Sequence, residues 1–125
     1  MKRLPDSELE IMIAIWELNK EVTRTEIEER LDRDKKLSPT TILSLLSRLE
    51  KKEFVSIHKE GKNNVYKALI NEEDYMNAES KTVLEKLYKN SLTNFMMALY
   101  ADKKPTKKQI DELQEFLDDL KEQQH

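Results

Sequence analysis

The 125-residue chain has one glycine, no cysteine and three prolines. At the usual share of ~7%, a chain of this length would carry roughly nine glycines. Gly61 alone cannot build a phosphate loop, a dinucleotide fingerprint or an EF-hand turn. Without cysteine there is no disulfide, zinc ribbon or thiol nucleophile, and the two histidines, His58 and His125, are too far apart for a local metal motif. No stretch approaches the ~18 to 20 uninterrupted apolar residues of a membrane span, and the first residues lack the basic-then-apolar pattern of a signal peptide. These absences favour a cytoplasmic protein that is not inserted in a membrane and is not a metalloenzyme; since the helix faces suggest no convergent carboxylates either, a non-enzyme is expected, with no catalytic residue, metal or cofactor to assign.

Charge is abundant but unevenly placed. The net value of −3 argues at first against a nucleic-acid partner. Residues 1 to 34, however, hold 6 basic against 10 acidic side chains, residues 35 to 70 hold 8 against 3, and residues 71 to 125 hold 8 against 12. The middle third is therefore a +5 block between two segments of −4 each.

Apolar spacing organises the chain. Leu9, Met12, Ile13 and Trp16 recur at helical spacing, with Ile11, Ile15 and Leu18 on neighbouring faces. Asp6 or Ser7 is expected to cap this first helix, Ser7 with Glu10 having capping-box spacing. A second helix is expected after Asn19-Lys20-Glu21, with Thr23 and Glu26 as its capping box and Ile27 and Leu31 as its buried stripe. Asp32 to Lys36 reads as a charged connection. The third helix has the clearest start, with Ser38 as N-cap and Pro39 at the first helical position. Its buried face is Ile42, Leu45, Leu46 and Leu49. The opposite face is Thr40, Thr41, Leu43, Ser44, Ser47, Arg48 and Lys51.

Phe54 to His58 and Val65 to Leu69 then alternate as strands around the turn Lys59 to Asn64. From Asn71 onward the pattern is helical. A helix over about 72 to 89 is expected to bury Met76, Val83, Leu84, Leu87 and Tyr88. A short one carries Leu92, Phe95, Met96 and Leu99, and a last one, capped by Thr106 with Gln109, carries Ile110, Leu113, Phe116, Leu117 and Leu120. About 50 residues of amphipathic helix make a thin core unless another surface completes it. The fold class is mainly α with a small β-hairpin wing, in two domains: 1 to 70, and a helical domain at 71 to 125.

Three helices, the third Ser-Pro-capped, followed by a hairpin with a basic turn, form the layout of a winged helix-turn-helix. There the third helix enters the major groove. Ser38, Thr40, Thr41, Ser44 and Ser47 can hydrogen-bond to bases or phosphates, and Leu43 can pack on a thymine methyl. Arg48, Lys51 and Lys52 suit the flanking backbone, and Lys59, Lys62 and Asn63 (or Asn64) suit it from the wing. The N–H groups around Thr40 and Thr41 form a helix N-terminus fitted to a phosphate. His58 reads as a surface residue, Glu72-Glu73-Asp74 as charge favouring a helix N-terminus, and Met96 and Met97 as packing. At this level a winged regulator that senses a small ligand and a winged protein-interaction module both stay open.

The chain also resembles the penicillinase repressor family of bacterial regulators, the family of the BlaI, MecI and CopY repressors. The resemblance runs from Leu4-Pro5-Asp6-Ser7-Glu8-Leu9 through Trp16, over Thr23-Arg24-Thr25-Glu26-Ile27, and along Ser38 to Lys52. It continues at the wing around Gly61 and Tyr66, and at Ile110-Asp111-Glu112-Leu113. It implies a homodimeric transcriptional repressor whose winged domain binds a palindromic double-stranded operator. The dimer would be made by the C-terminal helices, through Leu84, Leu87, Tyr88, Leu92, Phe95, Met96, Leu99, Ile110, Leu113, Leu117 and Leu120. It also implies an upstream membrane sensor protease, which in the β-lactam-responsive branch triggers cleavage of the repressor at an Asn-Phe bond in the dimer domain. Asn94-Phe95 matches those letters, but alignment of the flanking residues puts the family's bond near Ala98-Leu99. Where the family carries basic residues, this chain has Thr40 and Leu43, and it lacks the C-terminal cysteines of the copper-responsive members.

Overall fold

The computed structural model describes residues 2 to 31 and 37 to 124. The connection read over Asp32 to Lys36 lies outside them. The described elements are α1 (Asp6–Leu18), α2 (Arg24–Arg30), α3 (Pro39–Lys51), β1 (Val55–Glu60), β2 (Asn63–Ala68), α4 (Glu72–Tyr88), α5 (Leu92–Leu99) and α6 (Lys107–Glu122). Compactness divides the chain inside α4: residues 1 to 81 form one unit and residues 82 to 125 the other.

In the first unit α1, α2 and α3 pack on one another and on the hairpin. The core comprises Ile11, Met12 and Ile15 of α1, Ile27 of α2, the whole predicted stripe Ile42, Leu45, Leu46 and Leu49 of α3, and Phe54, Val55 and Tyr66. The buried side of α1 is thus rotated from the stripe read in the sequence. Ile13 is on the outside, and Leu9 and Trp16 are only partly buried. Trp16 instead donates its indole Nε1–H to the Ile70 carbonyl at 2.9 Å, satisfying its polar edge at the border of the core.

Local capping chemistry sets several helix starts. In α2 the Thr23 hydroxyl accepts from the Glu26 N–H while the Glu26 carboxylate accepts from the Thr23 N–H, a complete capping box. Asp6 and Ser7 do not cap α1. Its N-cap is Pro5, which makes no side-chain cap, because the Leu9 N–H already bonds the Pro5 carbonyl and the helix begins at Asp6.

With one glycine in the sequence, left-handed positions fall to other residues. Asn19 (φ 50°) ends α1, and Glu53 (φ 65°) ends α3. After Lys51 the Glu53 N–H bonds the Glu50 carbonyl and the Phe54 N–H bonds the Leu49 carbonyl, with Leu49 and Phe54 both buried. This is a Schellman motif with glutamate where glycine is usual. Gly61 is kept for the hairpin, at φ 67° in the first of two turn positions, as type II′ turns require.

The hairpin is therefore tighter than the six-residue turn read from sequence. Glu60 pairs directly with Asn63 and Lys59 with Asn64, so Lys59 and Asn63 stand on strands and Lys62 at the tip. Val22 adds an antiparallel bridge to Tyr66, through N–H to O distances of 3.0 and 2.7 Å. Sequence reasoning missed Val22, whose only signal is an apolar residue isolated between polar neighbours.

The start of α4 belongs to the first unit through Tyr75, not Met76. Tyr75 is 4% exposed, its hydroxyl accepts from the Leu4 N–H at 2.9 Å, and its ring contacts Trp16 and Phe54. Met76 is 57% exposed.

In the second unit the end of α4 turns through Lys89 and Asn90, both at positive φ, into Ser91, whose hydroxyl caps α5. The Tyr88 and Phe95 rings meet edge to face at 5.3 Å. Thr106 and Gln109 form the predicted capping box of α6. Among the described residues of this unit none is buried. Leu87, Leu92, Leu99, Ile110, Leu113, Phe116 and Leu120 are exposed, and Leu84, Tyr88, Phe95, Met96 and Leu117 are half-buried. The burial expected of Leu87 is absent, because nothing in its own unit covers it.

Candidate nucleic-acid interface

The third helix has two opposite faces. Ile42, Leu45, Leu46 and Leu49 hold it to the core, leaving Ser38, Thr40, Thr41, Leu43, Ser44, Ser47, Arg48 and Lys51 exposed. A helix repeat of 3.6 places these outward residues along one side of the cylinder. The helix is anchored at both ends, by the Ser38 cap and by the Schellman turn into β1, so the outward stripe is carried on a fixed support.

The cap also changes what the first turn can offer a ligand. The Ser38 Oγ accepts from the Thr41 N–H at 3.2 Å and lies 2.9 Å from the Thr41 hydroxyl. Pro39 has no N–H, and the Ile42 N–H bonds the Ser38 carbonyl. Of the two amides expected to form an anion site, Thr41's is therefore taken up by the cap. Thr40's has no acceptor among the described residues. Ser38 and Thr41 hold each other more than they face outward.

Arg48, Lys51, Lys59 and Lys62 are exposed and make no ion pair among the described residues. Positive charge of this kind is available to phosphate. Lys52 is placed differently from its expected role on a flanking backbone. Its ammonium sits 2.5 Å from Glu8 Oε1, the Glu8 side chain being 3% exposed and that of Lys52 25%. Lys52 is a counter-ion of the core, and Glu8 is a buried carboxylate that no sequence pattern revealed.

On the wing, Lys62 occupies the turn and Lys59 and Asn64 are cross-strand neighbours. His58 is exposed, with Nε2 3.7 Å from the Glu21 carboxylate. Among the described residues no group of three or more His, Cys, Asp or Glu could hold a metal ion. No described helix is long and apolar enough to cross a membrane.

An exposed hydroxyl-rich helix with exposed cations, followed by a tight wing, is the arrangement of winged-helix regulators. The profile of the penicillinase repressor family matches residues 4 to 119 of the chain. The chain belongs to the penicillinase repressor family. It is 32% identical to the penicillinase repressor of Bacillus licheniformis over 124 residues, which is 97% of this chain and 96% of the relative. It is 30% identical to the methicillin resistance regulatory protein MecI of Staphylococcus aureus strain N315 over 114 residues, 91% of this chain and 92% of the relative. Among solved structures, the solution structure of the DNA-binding domain of the repressor BlaI matches with 38% identity and a TM-score of 0.50. The match covers 60% of this chain and 94% of that one. The penicillinase repressor family is a family of transcriptional repressors, not enzymes, and the mainly α fold with its hairpin wing agrees with that membership. In this family member Asn94-Phe95 is ordinary helix in the first turn of α5, with the Phe95 ring against Tyr88.

Proposed function

We propose that this chain is a cytoplasmic DNA-binding transcriptional repressor acting on a palindromic double-stranded operator as a homodimer. The observation that carries this reading is the outward face of α3: exposed hydroxyls ending in Arg48 and Lys51, cations with no ion pair among the described residues, on a helix whose other side is fully buried. Thr40, Ser44 and Ser47 would approach base edges, with Thr41 and Ser38 shaping the first turn. Arg48, Lys51, Lys59, Lys62 and Asn63 would reach phosphates, which supply most sequence-independent affinity. Two-fold symmetry would set the half-sites about one DNA turn, ~34 to 36 Å, apart. Bound over a promoter, the dimer would block transcription.

The second unit supports the dimer. Leu113 and Leu120 are each 39% exposed and Phe116 57%, in a segment with no buried residue of its own among those described. A self-complementary partner surface would remove this apolar area from water. A membrane sensor protease is the upstream partner on this reading.

The test is selection of duplexes from genomic fragments by the full-length chain, followed by mobility shift at several salt concentrations. Enrichment of a palindrome bound with steep salt dependence is expected, together with a dimer by sedimentation. Failure to enrich any duplex at low salt would overturn the reading, and tight binding of a protein partner instead would mark the domain as an interaction module.

A further inference from the structure

The groove-facing stripe of α3 is unusual in what it lacks. Base discrimination in the major groove comes chiefly from bidentate pairs, made by Arg or Lys to guanine and by Asn or Gln to adenine. The outward residues of the first turns of α3 are Thr40, Leu43, Ser44 and Ser47, and none can make such a pair. The first long cation on this face is Arg48, near the C-terminal end of the helix. Hydroxyls can donate or accept, so Ser44 and Ser47 are able to hydrogen-bond to several bases without choosing sharply among them. Thr41 is further limited because its hydroxyl lies against Ser38 Oγ.

Leu43 is the exception on this polar face. It is 45% exposed, while the other leucines of α3, Leu45, Leu46 and Leu49, are buried at 4% or less. Its helical neighbours are Pro39 and Thr40 on one side and the buried Leu46 and the exposed Ser47 on the other, and among them Leu43 keeps its side chain open to solvent. The thymine C5-methyl is the apolar group that the major-groove edges present, and an exposed leucine is complementary to it. We infer that this chain selects its operator through thymine methyl groups, with Leu43 as the specificity-determining residue. This rests on the DNA-binding reading above and names the chemistry by which it discriminates.

Deoxyuridine replaces thymine with loss of the methyl alone. The full-length chain is first used to select a duplex from a random library, and the selected thymines are then changed one at a time to deoxyuridine. Loss of one buried methyl contact should weaken binding about fourfold per affected half-site. Leu43→Ala should lose a similar factor on the thymine duplex and become indifferent to deoxyuridine, while Leu43→Met should keep much of the preference. Leu43 is exposed, so its variants are expected to melt like the parent, and circular dichroism checks this. If Leu43→Ala does not fold, the deoxyuridine series on the parent chain still decides. Unchanged affinity across that series, or a deoxyuridine penalty that persists in Leu43→Ala, overturns the inference and leaves DNA binding intact. A library that yields no enriched duplex overturns the DNA-binding reading instead.

Discussion

The Lys52 ammonium lies 2.5 Å from Glu8 Oε1 and joins the end of α3 to the first turn of α1. Each charge also sits where its helix favours it, the carboxylate near an N-terminus and the ammonium at a C-terminus. The pair links α3 to α1 through charges withdrawn from the exposed face of the helix. Lys52 is therefore placed differently from its exposed neighbour Lys51 and from Arg48.

Removing one partner strands the other. Lys52→Met should destabilise the chain by about 3 kcal/mol, since a buried carboxylate loses its counter-ion. Glu8→Leu combined with Lys52→Met should recover most of that loss, as apolar replacement of both partners is often neutral or better. Urea denaturation of the two variants tests this, and equal stability of single and double variants would contradict it.

Arg48 should behave in the opposite way. Arg48→Ala should leave the urea midpoint nearly unchanged, weaken DNA binding across sequences and lower the salt slope by about one unit. Anisotropy titrations over a range of salt concentrations measure this. The folded fraction of Lys52→Met should keep the parental slope, which separates a phosphate contact from a core counter-ion.

Glu53 occupies a left-handed position at φ 65° without being glycine. Glu53→Gly should raise stability by about 0.5 to 1 kcal/mol, relief of the Cβ clash exceeding the entropy glycine adds to the unfolded chain. The midpoint in urea should rise with its slope unchanged.

At the start of α2, the Lys20 ammonium 2.6 Å from Glu26 Oε2, joined by the Thr23 N–H, holds the Glu26 carboxyl below the ordinary carboxylate range. A depressed folded value means a contribution to stability that is complete above the unfolded value and lost as pH falls through the folded one. Carboxyl NMR titration should place Glu26 below its peptide value, and Lys20→Met should move it back up.

Much of the fold is legible because its signals are short-range. Ser38-Pro39, Thr23 with Glu26, and Thr106 with Gln109 act over three residues, and the Ile42, Leu45, Leu46 and Leu49 stripe follows from helical repeat alone. The outward set from Thr40 to Lys51 is the complement of that stripe, so the sequence alone told which residues of α3 stay exposed. The helices from Asn71 onward, too, could be read as too thin a core unless another surface completes it.

Other features depend on partners far along the chain and emerge only when the helices and hairpin pack together. Tyr75 displaces Met76 from the core because its hydroxyl reaches the Leu4 N–H, 71 residues away. Val22 pairs with Tyr66 across the hairpin, and Asp6 and Ser7 yield the start of α1 to Pro5. Lys52 and Glu8, 44 residues apart, look like any two surface charges until packing removes Glu8 from water. Composition and periodicity register how a residue compares with its near neighbours, whereas the burial of a charge is a property of whatever folds against it. The single glycine shows both sides: its scarcity ruled out phosphate-loop folds from the sequence, but only the backbone revealed that Gly61 is kept for the wing while Asn19 and Glu53 take left-handed turns without it.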